Sequence, residues 1–198
     1  MSQEIEKPLT KKVKKLTNPR LNPLEGEWHK SISQEYNIFK KFYDGKIINI
    51  FKTIARHPKL MKNWVPFFTY ILSRSRLPKR EMEILILRIG WLCQSEYEWA
   101  QHVINAKRVG LTEEEIQRIA KGPEAKGWSE FEKTLIRAVD ELHTNAFISD
   151  DTWNALSEKY DTKKLIDLIF TVGQYNLVSM FLNSIGVQLE EGKKGFPE

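Results

Sequence analysis

Only one cysteine, Cys93, occurs in the 198 residues. That excludes an intrachain disulfide framework and suits a reducing compartment, so a cytoplasmic location is the expectation. Four histidines are scattered, and neither an H-x-x-x-H nor a C-x-x-C pattern appears, so no metal site is expected. Glycine is too dispersed for a phosphate-binding loop or a dinucleotide fingerprint, and no G-x-S-x-G elbow is present. No uninterrupted apolar run approaches the roughly 18 residues of a membrane span, and the opening MSQEIEKPLTKKVKK lacks the apolar centre of a secretory signal. No membrane partner is expected.

What is present includes a net charge of +5, unevenly spread. Lys7, Lys11, Lys12, Lys14, Lys15 and Arg20 face only Glu4 and Glu6 in the first twenty residues, which hold +4 of that total. The body is close to neutral and has no basic stripe, so no nucleic-acid partner is expected. With Pro8, Pro19 and Pro23, residues 1–30 read as an extended basic arm, solvated or clasping a partner. Residues 31–198 read as a single helical domain.

Within that domain the apolar spacing is helical throughout. Residues 35–56 carry a helical pattern with a break or kink at Gly45. Pro58 suits the first turn of a helix reaching about Ser73, with a kink at Pro66. The segment Lys79–Leu92 is apolar on nearly every side, as expected of a helix surrounded by neighbours. A helix from Ser95 to Val109 stops at Gly110. T-x-x-E and S-x-x-E capping boxes at Thr112/Glu115 and Ser129/Glu132 open two more. Ser149–Asp150 starts a helix to about Tyr160, and Thr162 caps a long last one closed by Gly186. Short links between such helices predict an all-α bundle. The last helix is more apolar than a monomer's outer helix needs to be, and an oligomeric interface is expected there. Trp28, Trp64, Trp128 and Trp153 supply further bulk.

The chemistry concentrates in LCQSEYEWAQH, residues 92–102. Ser95 and Glu98 have the spacing of a capping box, Tyr97 and Trp99 can be packing anchors, and a lone helical histidine is ordinary. Taken together they are less ordinary. At about 100° per residue, Ser95, Glu98 and His102 fall within roughly a 60° arc. Glu98 can orient His102 from four residues away. Glu83 is an ionisable group in the all-apolar helix and needs a partner or a raised pKa. If the chain reverses near Gln94, Glu83 and His102 differ in height by about 4–5 Å, which side chains can bridge. Arg88, about 140° around the helix from Glu83, cannot serve it, and Glu81 reads as a first-turn charge. A Glu–His pair in a dry interior is an acid–base unit expected to titrate near neutrality. Cys93 lies just before the second helix, whose N-terminus can activate a thiol, but a single cysteine cannot run a dithiol cycle.

The stretch LPKREMEILILRIGWLCQSEYEWAQHVINAKRVGLTEEEIQRIAKG resembles the core of the carboxymuconolactone decarboxylase family, which includes the alkylhydroperoxidase D-like proteins. The resemblance covers about residues 58–186. It implies an alkylhydroperoxidase D-like helical bundle assembled as a homotrimer or homohexamer, with sites near subunit contacts. The peroxidase branch has a Glu, a C-x-x-C and a His four residues beyond; Glu83 and His102 match, while Ser95 and Glu98 occupy the cysteine positions. The resemblance therefore implies a branch without the redox pair.

Three functions are open on these grounds. The first is an acid–base enzyme without metal or organic cofactor, acting on a small organic acid or lactone by decarboxylation, isomerisation or related proton transfer. Glu83, His102 and Glu98 would be its catalytic groups, and Ser95, Tyr97 and Trp99 its substrate-binding groups. The second is peroxidase or peroxiredoxin-type activity through Cys93. The third is a non-catalytic oligomeric binding protein in which Glu83–His102 is a structural pair.

Overall fold

The computed structural model describes residues 15–26, 32–43 and 45–197. Trp28, His29 and most of the basic arm lie outside these residues. Among the described residues there are nine helices and no strand. They are α1 (Ser33–Phe42), α2 (Asn49–Ile54), α3 (Pro58–Arg74), α4 (Lys79–Leu92), α5 (Glu96–Arg108), α6 (Glu113–Lys121), α7 (Glu130–Asn145), α8 (Asp150–Ser157) and α9 (Thr162–Ile185).

Helix α4 is the hub, packing on α5, α6, α7 and α9. That is the arrangement its lack of a polar face demands: Met82 through Gly90 are all buried. Three apolar clusters surround it. Leu85, Ile86 and Ile89 meet α7, α8 and α9, while Ile84 and Leu87 meet Trp99, Ile116, Ile119 and Trp128. The third cluster joins α1, α2 and α3 to Tyr97 and to Val178 and Leu182 of α9, around a stack of Phe39 on Phe51. Burying each such side chain contributes about 1.5–3 kcal/mol, which outweighs the modest helix propensity of the Ile-rich α4.

Several helix ends follow from single residues. Both capping boxes close as their spacing predicts, Thr112 with Glu115 and Ser129 with Glu132. Helix α3 starts at Pro58 and runs through Pro66 without ending. The predicted 35–56 pattern divides into α1 and α2 around Gly45, at φ +79°. Asp161, not Thr162, caps α9 by accepting from Lys164 N, and α8 stops at Ser157, short of Tyr160. Gly186 ends α9 in the left-handed region, where a Cβ would also meet Leu16 Cβ at 2.8 Å. That close approach lets the 15–26 segment lie on the helix end, where Arg20 N donates to Ile185 O at 2.7 Å.

Helix α9 corrects the expectation that no segment could span a membrane. By length and composition it could, with mean hydropathy 1.5 over its best window, of which 56% is buried inside the protein. Its one acid, Asp167, is buried and accepts from Tyr70 Oη, Ser75 Oγ and Arg76 N at 2.8, 3.2 and 2.7 Å, tying the helix to the α3–α4 link.

Candidate active site

The site is made by the reversal between α4 and α5. Gln94 takes φ +52°, a left-handed conformation that turns the chain within two residues. Ser95 N then donates to Gly90 O at 2.9 Å, so α5 starts flush against the end of α4. The two helices run back antiparallel, and Glu83 of one comes level with His102 of the other.

His102 Nδ1 lies 2.7 Å from Glu83 Oε2, and its Nε2 lies 3.0 Å from Glu98 Oε1. Glu83, Glu98 and His102 are only 3, 4 and 3% exposed. The imidazole is therefore held at both nitrogens by buried carboxylates. Burial alone would depress its pKa, but Glu83 and Glu98, through charge and hydrogen bonds, outweigh burial and raise it well above the usual histidine range. At neutral pH it is an imidazolium donating one N–H to each acid. This differs from the expected pair titrating near neutrality, because Glu98 faces the ring and does not cap the helix.

The expected Ser95/Glu98 capping box is absent for that reason. Ser95 occupies the N-cap of α5 without a side-chain cap bond, and its hydroxyl is buried with no hydrogen-bond partner among the described residues. Arg88, as its angular position predicts, is engaged elsewhere: it forks onto Asp140 at 2.6 and 2.9 Å. Glu81 accepts from Tyr160 Oη.

The other residues singled out in the sequence are dispersed. Tyr97 is buried beside Glu98, donating to Glu190 Oε1 at 2.6 Å and accepting from Ile50 N at 3.3 Å. Trp99 points away, into the cluster with Trp91 and Phe196. Cys93 is half-buried, and its Sγ donates to Asn176 Oδ1 at 3.0 Å. Burial pushes the thiol up to about 11, and the charge of Glu98 adds to this. Among the described residues no set of three His, Cys, Asp or Glu side chains could hold a metal ion.

Tyr43 and Tyr175 could not be found from the sequence, because they arrive from helix ends and faces distant in the chain. The Tyr175 ring stands edge-on to His102 at 4.9 Å, and its buried hydroxyl has no partner among the described residues. Burial, with the charges of Glu98 and Glu83, raises the pKa of both phenols, so they remain donors.

Two cavities flank the triad. One of ≈ 20 Å³, room for about one water, touches His102, Glu98, Tyr97 and Tyr175. The other, ≈ 200 Å³, touches Glu83, with Lys79, Asn105 and Arg108 among its walls. Tyr43 borders both. Larger clefts of ≈ 380 and ≈ 640 Å³ run along the C-terminal segment and border none of the three residues.

Residues 58–141 match the carboxymuconolactone decarboxylase family. No curated protein matches the chain in sequence. Among solved structures, an uncharacterised peroxidase-related protein from Ralstonia eutropha JMP134 with an alkylhydroperoxidase D core superposes with a TM-score of 0.75 at 15% identity, over 88% of this chain and 94% of that one. The debrominase Bmp8 in complex with 2,3,4-tribromopyrrole gives 0.74 at 13% identity, again over 88 and 94%. A protein of unknown function from Agrobacterium tumefaciens, described as a putative antioxidant defence protein AhpD, gives 0.65 at 20% identity over 69% of this chain and 94% of its own. At such identities the likeness establishes the fold alone. Residues 58–141 are thus similar to the carboxymuconolactone decarboxylase family, and the chain as a whole has an alkylhydroperoxidase D-like helical fold.

Proposed function

We propose that the protein is an acid–base enzyme working without metal or organic cofactor, catalysing decarboxylation, lactone isomerisation or a related proton transfer on a small organic acid. The supporting observation is the buried line Glu83–His102–Glu98, a proton relay with a cavity at each end. Glu83, at the larger cavity, is the base. It takes a proton from a carbon beside a carbonyl, and the C–H electron pair becomes an enolate. Returning that proton to a different atom yields an isomer. In a decarboxylation the electron pair of the C–CO₂ bond forms the same enolate, CO₂ leaves, and the carbon takes its proton from the relay. His102 is an imidazolium held to two acids, so its role is to pass protons between them and to hold charge, not to act as a free base.

The thiol reading has less support. A thiol raised to about 11 leaves little thiolate at neutral pH, and thiolate is the reactive form.

Solvent deuterium exchange reports proton abstraction from any compound that enters the site, turned over or not. A panel of small keto acids and unsaturated lactones incubated with the protein in D₂O should gain deuterium at the acidic carbon, read by proton NMR. Glu83→Gln should lose more than about 99% of that exchange, in keeping with the 10²–10⁴-fold scale of general acid–base catalysis. Full exchange in that variant, or in His102→Gln, would sink the reading. Exchange lost in Cys93→Ser but kept in Glu83→Gln would place the chemistry at the thiol.

A further inference from the structure

Beyond α9, residues 188–197 form no helix or strand and lie across α5. Among the described residues they make no backbone–backbone hydrogen bond to the body; Lys193 N donates to Glu190 O at 3.1 Å, closing a turn within the segment. Side chains hold it instead. The Glu190 carboxylate accepts from Tyr97 Oη at 2.6 Å, from Asn49 N at 2.8 Å and from Gln101 Nε2. Lys193 Nζ donates to Gln101 Oε1 at 2.8 Å, and Asn49 Nδ2 to Gln188 O at 3.0 Å. Phe196 stands edge-on to Trp91 at 4.9 Å and lies 5.7 Å from Trp99.

These anchors bear on the relay. Tyr97 and Gln101 line the ≈ 20 Å³ cavity beside Glu98 and His102, together with Ile48 and Ile50, which flank Asn49 at the start of α2. Glu190 thus ties α2 to α5 across that cavity and holds two side chains of its wall. The ≈ 380 and ≈ 640 Å³ clefts border the same segment, and Phe196 lines both. A segment held by a few polar contacts and one aromatic anchor, with solvent-filled clefts beside it, belongs to the low-stability end of a fold, where local opening costs least.

We propose that residues 188–197 are a strap gating the Glu98 end of the relay. Latched, it confines the cavity to about one water. Released, it frees Tyr97 and Gln101 and lets α2 part from α5, admitting solvent to Glu98 and His102. A proton taken up at Glu83 and passed through His102 to Glu98 then reaches bulk water only while the strap is lifted. That consequence rests on the acid–base reading; the gating itself does not.

His102 reports the gate without a substrate. Its imidazole C2–H exchanges with D₂O where solvent reaches it, at a rate read by mass spectrometry of the peptide. Gly195 lies so close to Glu96 that a Cβ there would overlap the carboxyl group. Glu96→Cys removes that obstacle and, with Gly195→Cys in a Cys93→Ser background, places two thiols to form a disulfide pinning the strap to α5. The oxidised protein should exchange the His102 C2–H about tenfold or more slowly than the same protein reduced. Glu190→Gln with Phe196→Ala should exchange it about tenfold or more faster than the parent, with the backbone amides of α4 as protected as before. Equal His102 rates in the oxidised and reduced forms overturn the proposal, as does a loosened variant that exchanges no faster than the parent. Should the loosened variant unfold, the oxidised and reduced forms decide alone. Glu83→Gln tests the acid–base reading through deuterium gained by the added acid, so either idea can fail and leave the other standing.

Discussion

At the residue scale the decisive group is His102, because two buried carboxylates compete for one imidazolium. Its folded pKa is raised above the unfolded value near 6.5. A raised cationic group stabilises the fold fully below the unfolded pKa, and the contribution disappears as pH climbs through the folded one. The stability gap between wild type and His102→Gln should therefore be widest below about pH 6.5 and shrink on the alkaline side, as urea melts at several pH values will show. At neutral pH the substitution leaves Glu83 and Glu98 buried without their cation and should cost on the order of 3–5 kcal/mol. A gap that widened with rising pH would mean that the imidazole is neutral in the fold. Cys93 gives the opposite kind of prediction. With its thiol pushed up to about 11 by burial, it should alkylate with iodoacetamide on the order of a hundredfold more slowly at pH 7.5 than an exposed cysteine.

At the element scale, Ser95 distinguishes a motif from its use. Three S/T-x-x-E stretches have the same spacing, but only Thr112 and Ser129 cap their helices. Ser95 is fully buried and its partner acid is drawn to His102. Thr112→Ala and Ser129→Ala should each cost about 0.5–2 kcal/mol in chemical denaturation. Ser95→Ala removes a buried hydroxyl that has no partner among the described residues and should be neutral or stabilising. A cost for Ser95→Ala equal to the others would restore the capping role. This contrast also marks how far the sequence could be read. The bounds of α4, the turn near Gln94 and the meeting of Glu83 with His102 were legible, because periodicity and the 1.5 Å helix rise fix them locally. The second carboxylate on His102 was legible too, as the i, i+4 partner Glu98; what the spacing could not decide is that this contact excludes the capping box. Tyr43 and Tyr175 were illegible as site residues, because only tertiary packing gathers them around the relay.

At the scale of the whole molecule, α9 presents two faces. Leu168, Val172, Tyr175, Val178 and Leu182 enter the core, while Ile166, Phe170, Leu177 and Met180 are about half exposed. The exposed positions, with Gly173 between them, advance by four, three, four and three residues, the rhythm of a helix-on-helix seam. A Cβ at Gly173 would meet nothing within 4 Å, so the seam is open at its centre to a neighbouring backbone. Large apolar side chains aligned in this way are what an association surface requires, and we propose a second copy of the chain as the occupant, in line with the trimer or hexamer the family resemblance implies. Light scattering after gel filtration should give a mass that is a multiple of the single chain. Phe170→Glu with Leu177→Glu should reduce it to the monomer while helicity is retained, since neither side chain belongs to the buried clusters. A monomeric parent would refute the seam. If the double variant is a folded monomer that still exchanges deuterium into substrate, the relay is complete within one chain; if exchange is lost, the neighbouring copy contributes to the site.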